Sequence, residues 1–326
     1  MSMKVLVVGG AGYIGAHMCK LLAESGFELV VCDDLSTGHR AALRWGKFVQ
    51  ASIGDAAALD SLFVRERPRA VMHFAACSLV GESVRDPLKY WRNNVGNTLT
   101  LLEAMRRHGV ARFVFSSTAA IFGEPRAASI DEDHTTQPLN PYGRTKLAIE
   151  QVLRDACTAY DLRAVALRYF NAAGADSSGL IGESHEPETH LIPRLLRRAA
   201  GENLDVCIFG DDYPTTDGTC VRDYIHVNDL ADAHLRALQQ LERQEGFQCY
   251  NLGNGRGYTV REVIAAVEDV AGGALNIPVG PRREGDPAAL VASSKKATQL
   301  LGWRPLRPAI RDIIESAWRW HREPRF

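Results

Sequence analysis

The chain has 326 residues, enough for about two domains, and 46% hydrophobic with 24% charged residues is an ordinary globular composition. A net charge of -1 gives no bulk electrostatic reason to expect a nucleic acid or an acidic membrane as a partner. No apolar run approaches the roughly 18 residues that span a bilayer, and "MSMKVLVVGG" is too short in its apolar part for a signal peptide. The seven cysteines include no C-x-x-C pair, so we expect a reduced, cytoplasmic chain.

Short β-branched runs alternate with amphipathic segments from the first residues. "KVLVV" predicts a buried strand, "IGAHMCKLLAESG" a helix, and "ELVVC" and "KFVQAS" two more strands. The helix "AALDSLFVRER", the strand "RAVMHFA", the long helix "PLKYWRNNVGNTLTLLEAMRRHG" and the strand "RFVFSS" follow. A helix with Tyr142 and the strand "RAVALRYF" complete the series. This rhythm predicts an α/β fold with a Rossmann-type doubly wound parallel sheet.

After about Asn171 the pattern loosens into a stretch with glycine and proline. The later predicted segments are short and include "DVCIFG", "VNDLADAHLRALQQL", "CYNLG", "TVREVIAAVEDVAG" and "PAIRDIIESAWRWH". We therefore expect a first domain over residues 1–171, with an excursion near 223–252, and a smaller C-terminal α/β substrate lobe over 172–326.

The turn after the first strand carries glycines at positions 9, 12 and 15. Glycines at this spacing permit a tight turn, close approach of the backbone to a pyrophosphate and close packing of helix on strand. The helix N-terminus that follows faces the phosphates with its free N–H groups. Asp33, at the end of the second predicted strand, can accept hydrogen bonds from ribose hydroxyls and repels a 2'-phosphate. The sequence therefore predicts NAD rather than NADP.

Tyr142 and Lys146 are one helical turn apart in "NPYGRTKLAIE", so the phenol and the ammonium share a face. The strand "RFVFSS" leads into Thr118. We expect Lys146 and a bound NAD⁺ to lower the pKa of Tyr142, so that its phenolate can take a proton from a sugar hydroxyl held by Thr118. Tyr142, Lys146 and Thr118 are thus the predicted catalytic residues.

Longer sequence blocks resemble a known family almost from end to end. They are "GGAGYIG", "HFAA", "VGESV", "NNVGNT", "PYGRTK", "LRYFNAAGA", "GTCVRDYIHVNDLADAH", "YNLGNG" and "RREGDPA". The chain is similar to the extended short-chain dehydrogenase/reductase superfamily and, within it, to the UDP-glucose 4-epimerase (UDP-galactose 4-epimerase) family. The glycine turn and Tyr-x-x-x-Lys mark the superfamily, whereas "DGTCVRDYIHV" and "RREGD" are more specific to the epimerases.

The resemblance implies two sets of binding residues. The cofactor set is Gly9, Gly12, Tyr13, Ile14, Gly15, Asp33, Asp34, Leu35, Ser36, Thr37, Gly38, Ser52, Ile53, Phe74, Ala75, Ala76, Ser78, Asn93, Ser116, Lys146 and Phe170. The substrate set is Thr118, Asn171, His190, Leu191, Cys207, Ile208, Phe209, Arg222, Leu290 and the segment from Arg283 to Asp286. Arg222 and Arg283 also suit a diphosphate on chemical grounds, because guanidinium groups fork to phosphate oxygens.

The same resemblance implies an activity and an assembly. The expected reaction is the reversible 4-epimerisation of a UDP-hexose, in which Tyr142 removes the 4'-OH proton and a 4-keto sugar forms by transient hydride transfer to tightly bound NAD. The ketone turns over in its pocket and takes the hydride back on its other face. The expected assembly is a homodimer that pairs the long helix and the Tyr142 helix of two copies.

Three positions differ from some members of the family. Ser52 stands where some members have an aspartate, and Ser78 where some have a lysine. At both positions this chain lacks a charge near the implied cofactor. Leu290 lines the implied sugar pocket where other members carry tyrosine or a smaller residue. That difference leaves open which sugar nucleotide is the substrate. The alternatives are UDP-glucose/UDP-galactose, the N-acetylated UDP-GlcNAc/UDP-GalNAc pair and UDP-pentoses.

Two other functions fit the fold less well. A nucleotide-sugar 4,6-dehydratase or decarboxylase is one, but dehydratases commonly carry Asp-Glu directly after the threonine, where this chain has Ala119 and Ala120. The other is a redox-sensing protein that only binds NAD. Such a protein would have no reason to keep Thr118, Tyr142 and Lys146 together with two arginines on the substrate side.

Two further groups of residues are weighed as reactive sites and set aside. The segment "ESHEPETH" offers Glu183, His185, Glu186, Glu188 and His190 as metal ligands. Because no second cluster supplies compatible ligands and Pro187 breaks helical spacing, we expect no metal site there. Cys77 follows a predicted strand, but no base is placed to activate it, so we expect a small packing residue.

Overall fold

The computed structural model describes residues 3–283 and 286–326. Its strands, numbered along the chain, are β1 (Lys4–Val8), β2 (Glu28–Asp33), β3 (Lys47–Gln50), β4 (Ala70–His73), β5 (Arg112–Ser116), β6 (Arg163–Tyr169), β7 (Asn171–Ala173), β8 (Ile208–Phe209), β9 (Val221–His226), β10 (Phe247–Leu252), β11 (Gly257–Thr259), β12 (Val279–Gly280) and β13 (Ala289–Leu290).

The α-helices cover both faces of the larger sheet and pack beside the smaller one. They are α1 (Tyr13–Glu24), α2 (Ala56–Glu66), α3 (Val80–Arg85), α4 (Pro87–Tyr90), α5 (Asn97–Arg107), α6 (Pro141–Ala159), α7 (Leu191–Ala199), α8 (Val227–Gln240), α9 (Val260–Ala271), α10 (Lys295–Leu300) and α11 (Ile310–Arg322). None of the helices in the described ranges is both long enough and apolar enough to cross a membrane.

A seven-stranded parallel sheet has the order β10-β6-β5-β4-β1-β2-β3. Strand order reverses between β1 and β4, and ligands of open α/β sheets bind beyond the carboxyl ends of the strands at such a point. Successive side chains of β1 face opposite sides of the sheet. Val5 and Val7 pack with Met18 of α1, whereas Leu6 packs with Leu59 of α2. The expected doubly wound α/β fold is confirmed.

A second, smaller sheet lies C-terminal to the first in sequence. Strand β9 pairs with β7, β11 and β13, and β8 pairs with β12 in a separate ribbon. Helices α7, α9 and α11 share one apolar core with this region. Between β9 and β11 the chain returns to the large sheet, where β10 pairs with β6. The division of the chain at residue 171 stays a prediction.

The long helix predicted over "PLKYWRNNVGNTLTLLEAMRRHG" is interrupted. A π-helical turn over Trp91–Gly96 separates α4 from α5. In its middle Asn94 is buried and donates from Nδ2 to Thr145 Oγ1 of α6 at 3.1 Å. A π-turn widens the helix by one residue, which lets Asn94 reach inward. Helical periodicity does not reveal this feature, because the flanking segments are regular α-helix.

Helix α6 is fixed to the sheet by a buried ion pair. Glu150 accepts hydrogen bonds from Arg168 of β6 through both carboxylate oxygens, with Nη2 to Oε2 at 2.6 Å. Ser117, just beyond β5, donates to Oε1 of the same carboxylate at 2.6 Å. Because burial of an unpaired charge is costly, this pairing fixes where α6 can lie on the sheet.

The glycine turn brings α1 very close to β1. Gly9 has a φ of +78°, and a Cβ there would lie 2.4 Å from the backbone nitrogen of Ala75. A Cβ on Gly15 would lie 2.1 Å from the carbonyl oxygen of Gly9. Neither contact tolerates a side chain, so both glycines are required by packing, as the sequence pattern indicates.

We expect Gly15→Ala to destabilise the protein, although alanine is normally the better helix former. The added Cβ has to push the Gly9 carbonyl aside, and overpacking of this kind costs about 1–3 kcal/mol. Gly81→Ala in α3 is the matched control, because nothing lies within 4 Å of its Cβ and the change should gain up to about 1 kcal/mol. Urea unfolding measures both changes. Equal stability of Gly15→Ala and wild type would contradict a close contact between Gly15 and the Gly9 carbonyl group.

Candidate functional site

The N-terminus of α1 is open at the edge of the large sheet. Its N-cap is Gly12, and no side chain caps it. A Cβ on Gly12 would meet only the Gly9 carbonyl oxygen, at an ordinary 3.5 Å. The glycine there is not demanded by packing, and it leaves the helix N-terminus accessible to a phosphate group. The turn thus fits the pyrophosphate of a dinucleotide.

Asp33 lies at the end of β2, next to this turn. Oδ2 accepts a hydrogen bond from the Ala11 N–H at 2.9 Å and Oδ1 one from the Leu35 N–H at 2.8 Å. Burial raises the pKa of Asp33, and these two backbone donors oppose that shift. Each oxygen keeps a lone pair for a further hydrogen bond. The carboxylate is therefore held in one orientation with acceptor capacity left over, and its contact with ribose hydroxyls stays a prediction.

The remaining predicted adenosine contacts surround the turn. The loop of Asp34 to Gly38 follows β2, and His39 N donates to the Ala11 carbonyl oxygen at 3.0 Å, which holds this loop against the glycine turn. Ile53 is buried in the core beneath β2, and Ser52 precedes it with Oγ accepting from Gly54 N at 3.2 Å.

The segment Phe74 to Ser78 leaves β4 beside the glycine turn. Asn94 fixes this segment by donating to the Cys77 carbonyl oxygen at 3.0 Å and accepting from the Cys77 N–H at 2.8 Å. Burial raises the pKa of the Cys77 thiol, which agrees with a packing role rather than a reactive one. The predicted cofactor residue Asn93 is the neighbour of Asn94 on the π-turn.

The three predicted catalytic side chains meet at the carboxyl end of β5. Asn140 caps α6 by accepting from Gly143 N at 2.9 Å, so Tyr142 lies in the first turn of the helix. Thr118 lies near enough to the phenol of Tyr142 to act on its pKa. Lys146 Nζ lies 6.0 Å from the centre of the Tyr142 ring and donates to the Ser116 carbonyl oxygen at 2.9 Å.

Burial is the largest effect on the pKa values of Tyr142 and Lys146. Burial raises the pKa of Tyr142 above its ordinary value, and Thr118 opposes that shift without reversing it. Burial also lowers the pKa of Lys146 to about 7, although the Glu150 carboxylate raises it. The expectation that Lys146 and a bound NAD⁺ together lower the pKa of Tyr142 stays a prediction, and in the protein alone burial is the larger effect. The ammonium sits over the Phe115 ring, 4.7 Å from its centre, and is directed to a carbonyl rather than to the phenol.

The predicted substrate residues form a second group around β9. Arg222 of β9 forms an ion pair with Asp286. Arg283 stacks over the ring of Phe209 in β8, 4.4 Å from its centre, and Cys207 and Ile208 precede Phe209 along the chain. Between Arg283 and Asp286, the predicted contact segment includes Glu284 and Gly285, which lie outside the described residues.

Leu290 connects this group to the catalytic group. It lies opposite Arg222 in the pairing of β13 with β9. Its side chain packs on a small apolar cluster that includes Ala119 and Ile121, directly after Thr118, and Phe170 packs on the same cluster. Asn171 follows Phe170 as the first residue of β7. The structure thus places the predicted pocket wall beside the predicted catalytic threonine.

His190 and Leu191 are positioned by a different contact network. His190 is the N-cap residue of α7, and Leu191 is the first residue of that helix. Nδ1 of His190 lies 2.9 Å from Glu183 Oε1 and 2.8 Å from Glu188 Oε1. Burial works to lower the pKa of His190, but these carboxylates raise it to about 10.

Three residues that matter to the site were not singled out from the sequence. Asn94 and Glu150 hold the Cys77 segment and α6, as described above, and Tyr169 shares a hydrogen bond of 2.5 Å between its hydroxyl and Ser116 Oγ. Glu150 had a signal, since it follows Lys146 by one helical turn on the same face. Asn94 and Tyr169 had none, because each acts through a contact distant in sequence.

Comparison with known proteins agrees with this geometry. The sequence model of the NAD dependent epimerase/dehydratase family matches residues 5–253. A UDP-glucose 4-epimerase of Halalkalibacterium halodurans is 51% identical over 321 residues, which are 98% of this chain and 96% of the relative.

Solved structures with the same fold carry ligands. The crystal structure of UDP-glucose 4-epimerase from Brucella ovis in complex with NAD has 50% identity and a TM-score of 0.93, covering 97% of this chain and 98% of that chain. The enzyme from Stenotrophomonas maltophila, with bound NAD and formylated UDP-arabinopyranose, has 42% identity and a TM-score of 0.95, covering 98% of both chains. This chain therefore belongs to the NAD dependent epimerase/dehydratase family and, within it, to the UDP-glucose 4-epimerases.

Proposed function

We propose that the chain catalyses the reversible 4-epimerisation of a UDP-hexose, UDP-glucose to UDP-galactose and back, with tightly bound NAD. The observation that carries the proposal is the meeting of Thr118, Tyr142 and Lys146 at the carboxyl end of β5, on the same edge as the glycine turn. The relatives named above, which share nearly the whole chain length, support the same activity.

The residues around the glycine turn fit NAD. The uncapped N-terminus of α1 suits a pyrophosphate, and the oriented Asp33 carboxylate suits an unphosphorylated ribose. Lys146 uses one of its three N–H donors on Ser116, which leaves two for a ligand. Held by these residues, NAD⁺ would supply a hydride acceptor for C4 of the sugar, and its nicotinamide ring would add a positive charge to the site.

Tyr142 is the proposed general base and acid. It takes the proton from the sugar O4 and gives it back after the 4-keto sugar has turned. Because burial raises the pKa of this phenol, a positive charge nearby is needed before it can lose its proton at neutral pH. Because Thr118 lies close to the phenol, we propose that it holds the same sugar hydroxyl.

The substrate diphosphate is proposed to bind Arg222 and Arg283. Arg222 lies on the rigid β9 strand, and Arg283 rests on the Phe209 ring, so both guanidinium groups are partly oriented in advance. A firm hold on the diphosphate lets the hexose turn while the UDP stays bound.

The 4,6-dehydratase alternative gains no support from the geometry. Thr118 is followed by the short 3₁₀ turn of Ala119 to Ile121, whose first two side chains are methyl groups. Elimination of water requires an acid and a base beside the threonine, and these positions supply neither.

A homodimer is proposed from an exposed apolar stretch along α4, the π-turn and α5. Leu88, Trp91 and Leu99 have exposed fractions of 62%, 39% and 40%. Large apolar side chains grouped on adjacent turns are typical of a protein interface. We propose that this surface and α6 of one copy pack against the same surface and α6 of a second copy.

A cytoplasmic location is proposed from the thiols. All seven cysteines are free in the structure, and such a chain suits a reducing compartment. Cell fractionation tests this, and recovery outside the cytoplasm would contradict it.

Our first functional prediction concerns Tyr142→Phe, assayed with UDP-galactose and no added NAD. Wild type should convert the substrate, because the reaction has no net redox change and its cofactor stays bound. The variant should lose about 10²–10⁴-fold in rate while keeping its NAD content, since only a hydroxyl is removed. Tyr160→Phe, at the exposed end of the same helix, should remain fully active. Near-wild-type turnover by Tyr142→Phe would refute the assignment.

The second prediction concerns Leu290→Tyr and substrate choice. Leu290 leaves some room but offers no hydrogen bond, so UDP-galactose should be preferred and UDP-GalNAc turned over slowly. Added bulk penalises the larger 2-substituent more, and a pocket edge discriminates by about 1–3 kcal/mol. We expect the variant to lose about tenfold more rate on UDP-GalNAc than on UDP-galactose. Leu300→Tyr, which is exposed, is the control. Equal losses on both substrates would show that Leu290 does not line the sugar pocket.

The third prediction concerns assembly. Sedimentation of the wild type should give twice the chain mass of 35.8 kDa. Leu99→Asp should shift the protein towards the monomer, because a carboxylate would be buried in the interface without a partner. Leu306→Asp, at a site that is 77% exposed and outside the proposed surface, should stay dimeric. A monomeric wild type, or a dimeric Leu99→Asp variant, would contradict the proposed interface.

A further inference from the structure

Four potential metal ligands lie together in the loop before α7. The loop cluster consists of the side chains of Glu183, His185, Glu188 and His190. One ligand atom from each of them lies within 4.8 Å of the others. The sequence-based expectation of no metal site relied on the lack of a second ligand cluster and on Pro187 interrupting a helical spacing. In the structure the segment is a loop rather than a helix, and it brings four potential ligands together by itself.

The ligand atoms of the loop cluster lie close enough together to surround a single ion. The imidazole-to-carboxylate distances are 2.8 and 2.9 Å from His190 Nδ1, and 3.3 and 3.8 Å from His185 Nδ1. Zinc bonds to imidazole nitrogen and carboxylate oxygen are about 2.0–2.2 Å long, so neighbouring ligand atoms of a tetrahedral site lie about 3.3–3.6 Å apart. An ion can therefore be accommodated with small adjustments of side chains.

One nitrogen of the loop cluster has no hydrogen-bond partner in the described structure. Nδ1 of His185 is shielded from solvent, yet the Glu183 oxygen 3.3 Å away is not aligned for a hydrogen bond. Buried polar atoms without partners are uncommon and call for a ligand or an ion. The carboxylate side chains of Glu183 and Glu188 are only 5% and 3% exposed and pair with His190 Nδ1, so a bound cation has to displace the proton of that imidazole.

We propose that the loop cluster binds one Zn²⁺ ion. Two carboxylates balance the charge of a divalent cation, and two imidazoles supply the nitrogen ligands that favour zinc over magnesium or calcium. All four positions are filled by protein side chains, which is typical of a structural rather than a catalytic zinc site.

The ion would fix three parts of the fold relative to one another. The Glu183 carbonyl oxygen accepts a hydrogen bond from Trp320 Nε1 of α11 at 2.8 Å. The His185 ring lies edge-on to Tyr13 at the start of α1, with ring centres 6.3 Å apart. His190 begins α7. The proposed site thus connects the glycine turn to two helices of the smaller lobe and goes beyond the epimerase function.

The test is zinc retention by the untagged full-length protein. The chain is stripped with a chelator, dialysed against Zn²⁺, freed of excess metal and analysed by mass spectrometry for zinc. Wild type should retain one zinc per chain, and His185→Gln and Glu188→Gln should each bind zinc more than about tenfold more weakly. His108→Gln is the control, because it removes another histidine paired with a carboxylate, Asp60, and should retain the metal.

Two further readouts separate a built site from surface binding. Bound Zn²⁺ should raise the Tm of wild type and of His108→Gln but not of His185→Gln. Co²⁺ in the same site should show the intense visible absorption of four-coordinate cobalt. Failure to retain zinc, equal retention by all variants, or a six-coordinate cobalt spectrum would overturn the proposal. If Glu188→Gln does not fold, as judged by circular dichroism, His185→Gln decides the matter, since its side chain is one third exposed.

Discussion

The buried carboxylate of Glu150 is the interaction on which the site depends. It joins α6, which carries Tyr142 and Lys146, to Arg168 of β6 and to Ser117 just before Thr118. Loss of one partner from a buried pair of this kind typically costs about 3–5 kcal/mol, because the remaining charge has no compensation. The distance between the helix and the end of β5 is therefore held by an energy that is a considerable fraction of a protein's net stability of about 5–15 kcal/mol.

The same carboxylate also acts on the charge of Lys146. Burial favours the neutral amine and lowers the pKa of Lys146 to about 7, while Glu150 favours the ammonium. Glu150 thus influences both the position of α6 and the charge of Lys146, and we do not propose a contact between Glu150 and either ligand. The ammonium is in turn directed to the Ser116 carbonyl oxygen, so that β5 sets the orientation of Lys146 as well as that of Thr118.

Features that depend on local sequence were predictable. The strand, glycine turn and helix of residues 4–24, the alternation of strands and helices, and the approach of Thr118 to Tyr142 all follow from periodicity and residue chemistry. The Arg222 and Asp286 pair was not predictable, because it joins positions distant in sequence. Helix α7 was missed because it has only nine residues, and a proline in its first turn resembles a loop signal.

Two properties of the site depend on direction and burial, which sequence separation does not give. Helical spacing does not describe the loop cluster, since a loop can bring together residues that no regular element aligns. In the protein alone, desolvation is the largest effect on the pKa of Tyr142, because the phenol is enclosed and Lys146 is directed to the Ser116 carbonyl oxygen.

The π-turn over Trp91–Gly96 changes the angular register of the helix on either side of it. Each α-helical residue advances by about 100°, so two positions eight apart would lie about 80° away from each other around the axis. One residue absorbed by the wide turn makes the separation of Trp91 and Leu99 equivalent to about seven residues, or nearly two full turns. The inward-pointing Asn94 and the outward alignment of Trp91 with Leu99 are therefore products of the same added residue. The added residue of the π-turn therefore positions both the segment proposed to contact the cofactor and the surface proposed to pair two subunits.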